Sequence, residues 1–161
     1  DTLICGDFEF KCSIGKNGLK RNKFEGDKST PIGTFSLGPV YYRSDRVAKP
    51  DTELKTIKIN KRMGWCDDPQ SKDYNKLVRL PFKFNFEKLY RSDSIYDIFF
   101  VLDFNTNPIK KNKGSAIFIH IAKKSFSSTK GCVAIKKSDI KKLAKKIAEE
   151  QKVRITARVQ N

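Results

Sequence analysis

Polar and apolar residues alternate over much of this chain, and a period of two marks half-buried strands. In "DFEFKCSIG", Phe8, Phe10 and Cys12 share one side. The "GKNG" that follows carries Asn17-Gly18, a hairpin-turn signal. "STPIGTFSL" puts Pro31 and Gly33 in a turn ahead of another strand-like segment. "KTIKINK" sets Ile57 and Ile59 against Lys58, again a half-buried strand. From Met63 to Pro81 the alternation stops, and acidic, amide and aromatic residues cluster. That stretch predicts a long loop of the kind that carries function in compact domains. "YDIFFVLDFN" and "SAIFIHIA" are short, near-continuous apolar runs and predict buried central strands, joined by the polar "NTNPIKKNKG".

One segment changes period. In "SDIKKLAKKIAEEQ", Ile140, Leu143, Ala144, Ile147 and Ala148 recur on one helical face, with lysines on the solvated side. Ser138 is the expected N-cap, and Asp139 suits the first turn. "VRITARV" then reads as a closing strand. Without repeats, linkers or low-complexity segments, the pattern predicts one domain over residues 1–161, mostly β, with a C-terminal helix.

Composition narrows the function classes. A chain of 161 residues can bury one real core, and 12 Phe with 5 Tyr argue against disorder. No apolar run approaches the roughly 18 residues that span a bilayer, so stable membrane insertion is not expected. The chain opens at "DTLICGDFEF" without Met, as a processed or trimmed start would. The formal net charge of +16 invites a polyanion. Lys outweighs Arg, however, and Arg is what groove and phosphate readers prefer; the excess reads as a solvated surface, with no nucleic acid expected. The 4 Cys form no CxxC pair, and 1 His completes no usual zinc set, so neither metal nor cofactor is implied. A disulfide among Cys5, Cys12 and Cys66 stays open for an oxidising compartment, its pairing unreadable.

The candidate chemistry lies in "AIFIHIA" and "TKGCVAI". His120 shares an alternating face with Ala116, Phe118 and Ala122 and needs a hydrogen-bond partner there. Gly131 permits a tight backbone just before Cys132, where a nucleophile can be presented and N–H groups can converge on an oxyanion. Thr129 offers a hydroxyl to orient a neighbour, and Lys130 a charge that favours thiolate. Residue types alone leave two readings open: a satisfied core histidine with an inert cysteine, or a thiol with its base. As the chain's only imidazole, His120 would set the acid limb of a pH–rate profile near its ordinary value of about 6.5, unless burial or the thiolate shifts it.

"GDKSTPIGTF", "SAIFIH" and "TKGCVAI", in that order, resemble the L,D-transpeptidase family with its YkuD-type catalytic domain. "RSDRV", "GWCDDPQSKDYN" and "IYDIFFVLDFN" resemble its compact branch, and the likeness runs from about Phe10 to Val159. The resemblance implies a β-sandwich with one C-terminal helix. It implies an exported enzyme, periplasmic or facing the cell wall, whose partner is the peptidoglycan stem peptide. On this likeness Cys132 is the nucleophile and His120 its base, and the N–H groups of Gly131 and Cys132 bind the oxyanion. The third-residue carbonyl is attacked, the terminal D-alanine leaves, and an amine takes the acyl group. A hydrolase or L,D-carboxypeptidase using the same pair is the alternative, and an inactive wall-binding module a more distant one. The chain departs from the commoner pattern at Lys130, where many members carry a second histidine. It also departs at Ile121, where many carry Gly, and at Ala134, where Arg or Asn is common.

Substrate contacts are expected from Thr129, Lys130, Trp65 and Tyr96, and from Arg46 or Arg91 gripping a stem carboxylate through a bidentate fork. Arg43 and Arg79 are further carboxylate candidates. Asp67, Asp68, Tyr74 and Asn75 belong either to a pocket wall or to turn-capping structure. Tyr96 and Asp97 precede a central strand and are placed to support His120. The acceptor, the type of cross-link and the oligomeric state are written in no local pattern.

Overall fold

The computed structural model describes residues 1–148 and 151–157. Strands β1 (Thr2–Cys5) and β2 (Phe8–Ser13) pair antiparallel. The short β3 (Leu19–Lys20) and β4 (Thr30–Pro31) follow, then the long β5 (Gly33–Tyr42) and β6 (Thr56–Lys58). Next come β7 (Met63–Cys66), β8 (Leu77–Arg79) and β9 (Phe86–Lys88). β10 (Ile98–Leu102), β11 (Phe118–Ile121), β12 (Val133–Ile135), helix α1 (Lys137–Lys146) and β13 (Lys152–Thr156) complete the described chain.

The mostly-β expectation with one helix holds. Pairing runs β10-β11-β12-β2-β1-β13-β5, and β5 pairs back onto β10, so the strands close into a barrel-like ring with β6 alongside β5. Two separate facing sheets are not what this pairing describes. Closure leaves no free edge within the ring, which removes a template for aggregation.

Two cores use alternate residues of the same strands. Ile98, Phe100, Leu102, Ile119, Ile121, Val133 and Ile135 pack in one cluster with Ile140, Leu143 and Ala144 of α1. Phe99, Val101, Phe118 and Cys132 face the other way, against Tyr41, Trp65, Leu89 and Tyr96. This is why "IFFVL" reads as continuous apolar sequence: both faces of β10 are covered.

The structure corrects several local expectations. Met63–Pro81 is not a long loop; β7 and β8 lie within it and form a three-stranded antiparallel sheet with β9. Strands of three or four residues are too short to display alternation, and Asn75 replaces that signal with side-chain bonds. Its Oδ1 accepts from Trp65 Nε1 at 2.9 Å and Ala116 N at 3.0 Å, and its Nδ2 donates to Asn105 O at 2.7 Å. The Asn17-Gly18 turn forms, with Gly18 at φ +82° and its N–H on Gly15 O at 2.9 Å. Its flanking strands do not pair as a hairpin, because β2 belongs to β1 and β12 while β3 pairs with β4. Pro31 stands in β4 rather than in a turn.

Helix α1 starts without a side-chain cap, so Ser138 lies inside its first turn rather than at the N-cap, which is Lys136. It ends where Ile147 turns extended while remaining buried, and Ala148 is exposed. The chain must leave the helix there for β13 to reach β1 and β5. The expected helical tail at Glu149 and Glu150 and the strand end at Arg158 and Val159 lie outside the described residues. All four cysteines are free and buried, so none of Cys5, Cys12 and Cys66 is bridged to another.

Candidate active site

β11 and β12 are parallel neighbours, with Ile119 beside Val133 and His120 beside Ala134. Cys132 immediately precedes β12 and therefore falls beside Phe118, one strand period from His120 on the same face. The turn before it is cross-braced. Thr129 Oγ1 donates to Cys132 O at 2.6 Å and accepts from Gly131 N at 3.1 Å. Thr30 Oγ1 donates to Gly131 O at 2.7 Å and accepts from Gly15 N at 2.8 Å. Gly131 has φ +143°, and a Cβ there would stand 2.9 Å from Ser29 O, so only glycine fits without a shift.

The thiol is buried. Cys132 Sγ donates to Ala116 O at 3.2 Å and accepts from Phe118 N at 3.4 Å. Burial, with the charge of Glu87, pushes it up to about 12; the Phe118 N–H, the Lys23 ammonium and the Tyr96 hydroxyl act in the opposite direction. Lys23 is itself buried and paired with Asp27 at 3.2 Å. Burial works against the Asp27 carboxylate, but bonds from Ser29, Phe24 and Lys23 prevail and hold it down at about 2. No sequence pattern marks Lys23 as a neighbour of the site.

His120 is equally enclosed. Its Nδ1 lies 3.0 Å from Ile121 O. A carbonyl only accepts, so Nδ1 carries the hydrogen and Nε2 keeps its lone pair. Burial first, then the charges of Arg91 and Lys123, lower the imidazole to about 4, against the pull of Ile121 O and Asp93. The ring is therefore neutral at pH 7. The thiol's hydrogen-bond partners are backbone groups, and the Tyr96 ring stands against His120 edge-on, centroids 5.5 Å apart.

Tyr96 and Glu87 form the remaining wall. The buried Tyr96 hydroxyl donates to Glu87 Oε1. Glu87 lies on β9 opposite Trp65 of β7, partly exposed, with its carboxyl turned towards Tyr96. Burial raises that carboxyl, while Tyr96, Arg91 and Lys130 oppose the rise. In the sequence "NFEKLY", Glu87 looks like any solvent-facing strand residue.

A protein-family model of the L,D-transpeptidase catalytic domain, YkuD, matches residues 6–155. The chain belongs to this L,D-transpeptidase family. No curated protein and no solved structure matches it. The family acts on peptidoglycan, and no helix among the described residues is long and apolar enough to cross a membrane.

The other expected contacts of this L,D-transpeptidase domain divide into two sets. Lys130 is exposed, and its charge acts on Glu87 and Asp67. Burial, with Glu25, raises the Asp67 carboxyl. Arg91 lies over the Tyr96 ring at 5.3 Å, with Nε and Nη2 on Asp93 at 2.9 and 2.6 Å. These groups ring the site. Arg46 is instead a clamp: Nη1 reaches Asp93 O at 2.7 Å and Asp97 Oδ1 at 3.0 Å, and Nη2 reaches Ser92 O at 3.0 Å. Arg43 is buried on Tyr90 and doubly bonded to Asp45. Trp65 packs edge-on to Phe118 at 5.3 Å, in the cluster that also holds Cys132. Tyr74 donates to Glu25 at 2.8 Å, and Asp68 accepts from Gln70 N and Asn85 N, which holds the segment's own fold. Arg79 is exposed on β8. Among the described residues no cluster of metal-ligating side chains occurs.

Proposed function

We propose that this chain is a cysteine-dependent L,D-transpeptidase that attacks the third-residue carbonyl of peptidoglycan stem peptides. The observation that carries the reading is the braced Gly131-Cys132 turn, which puts the only thiol of the site on one strand face with an imidazole whose Nε2 is free of hydrogen. At neutral pH both partners are uncharged, so the thiol proton passes to Nε2 as Sγ attacks. That step needs Sγ to exchange the Ala116 carbonyl for the imidazole. The oxyanion is received by the backbone N–H groups of Gly131 and Cys132, and it displaces the Thr129 hydroxyl from Gly131 N. Collapse expels the D-alanine amine, which takes the proton from His120. An acceptor amine then attacks the thioester, returns its proton through Nε2, and releases the thiol. On this reading the stem carboxylate is met by Lys130 or Arg91, a choice supported by the exposure of Lys130 and by Arg91 lying over the Tyr96 ring.

Incubation with purified tetrapeptide muropeptides, read by product mass, tests this. Cross-linked dimers that are absent with Cys132→Ala are the expected result. Trimmed monomers alone would assign the acyl-enzyme to water and make the chain an L,D-carboxypeptidase. Unchanged substrate would end the reading.

A further inference from the structure

Two loops far apart in the sequence, 21–23 ahead of β4 and 103–113 after β10, line one cavity of about 480 Å³. That is the size of a small-molecule pocket. Neither Cys132 nor His120 lines it.

Its walls are braced by hydrogen bonds and packing. Asn105 Nδ2 donates to Lys110 O and Gly114 O, both at 2.9 Å, and its Oδ1 accepts from Lys110 N at 2.8 Å, which closes the second loop on itself. Glu25 N donates to Asn112 O at 2.9 Å and ties the chain beyond the first loop to the second. Phe104 stands edge-on to Phe35, centroids 5.9 Å apart. Lys23 is buried in the wall. Its Nζ donates to Asp27 Oδ1 at 3.2 Å and Phe24 O at 3.4 Å, so one of the three N–H groups is left without a protein partner. Gly114, at φ +117°, makes room for this ammonium: a Cβ there would stand 2.9 Å from Nζ.

Three more cations line the same cavity, Arg21, Lys110 and Lys113. All three are exposed, and among the described residues none of them is in an ion pair. The lining holds one carboxylate, Asp103, whose Oδ1 already accepts from the Thr106 hydroxyl. Like charges gathered around one cavity repel, and an entering anion turns that repulsion into attraction.

We infer that this cavity is a binding site for a phosphate or carboxylate group carried on a polar ligand. Arg21 offers a planar fork to two oxygens of one group, Lys110 and Lys113 add point charges, and buried Lys23 adds its remaining donor. The side-chain amides of Asn22 and Asn107 line the space left for the ligand's polar body. Two sources share this chemistry: a stem peptide with its carboxylates, and a soluble phosphate compound. The site is independent of the role of Cys132.

Calorimetric titration with inorganic phosphate, and separately with a stem tripeptide, tests it. Salt is held at about 0.15 M, where exposed charges more than about 8 Å away are screened. At least one probe should saturate at one molecule per chain, with amide NMR shifts concentrated at residues 103–113. Arg21→Gln, Lys110→Gln and Lys113→Gln together should weaken that binding by about tenfold or more. Lys141→Gln, Lys142→Gln and Lys145→Gln remove the same charge from exposed positions of α1 and should leave it within about twofold. Saturation by phosphate alone assigns the site to phosphate compounds, and saturation by the tripeptide with the same shifts assigns it to stem carboxylates. Absence of saturation with both probes overturns the site. Equal weakening in the two triple variants overturns it as well, and leaves only the general field of a +16 chain.

Discussion

The two faces of β10, β11 and β12 are made from the same short segments, yet they do opposite work. One face is aliphatic, closed by α1, and holds Ile98, Phe100, Ile119, Val133 and Ile135. The other is aromatic, roofed by the β8-β7-β9 sheet, and carries Cys132 and His120 among Phe99, Phe118, Trp65 and Tyr96. Burial stabilises the first face. On the second the same removal of water pushes a thiol up and an imidazole down, leaving both neutral. A dry site makes a poor resting nucleophile, and it strengthens every hydrogen bond that an incoming substrate can bring. The difference teaches that the same burial that stabilises one face keeps the titratable groups of the other uncharged.

The sharpest way to break the comparison is to substitute one residue on each face. Cys132→Ala should abolish turnover on muropeptides with little change in a denaturation midpoint. Phe100→Ala on the opposite face should lower stability by about 3–5 kcal/mol, read by urea titration. If Cys132→Ala turned over normally, the chemical role of its face would be lost. His120→Gln comes next: acylation should slow by roughly two to four orders of magnitude in single-turnover mass measurements. Near-normal acylation would return His120 to the core.

The pH dependence tests dryness itself. The folded imidazole sits near 4, below its ordinary value of about 6.5, so between these values the unfolded chain binds the extra proton. Stability from this group is complete above about 6.5 and is lost as pH falls towards 4. The acid limb of kcat/KM should likewise fall near 4 rather than near the ordinary value, and His120→Gln should flatten the stability curve over that window. A limb at 6.5 would mean a wetter site than the packing describes.

The smallest effect separates two arginines on the rim. Arg91→Lys should raise the donor KM severalfold, because Lys cannot pair with both Asp93 oxygens and still present a further nitrogen to a substrate carboxylate. Arg46→Lys should leave KM unchanged and cost about 1 kcal/mol in thermal or urea stability, since all its bonds are internal. The reverse pattern would move the carboxylate grip to Arg46.

What the sequence determined by itself is what short-range pattern can carry. Alternation marked β2, the apolar runs marked β10 and β11, the 3.6-residue period marked the buried face of α1, and "TKGC" beside a histidine-bearing strand marked the thiol with its candidate base. Each depends on neighbours within a few positions, where backbone geometry dictates which side chains share a face. Tertiary structure alone decided the rest. Closure of β5 onto β10 and assembly of β7, β8 and β9 join residues far apart through backbone hydrogen bonds that leave no mark in residue type. Whether an arginine ties loop carbonyls together, as Arg46 does, or pairs with an exposed aspartate over an aromatic ring, as Arg91 does, depends on which groups surround it. The titration of Cys132 and His120, and the meeting of Glu87 with Tyr96, were set by burial: desolvation and charge at close range are properties of the packed site, and no local pattern contains them.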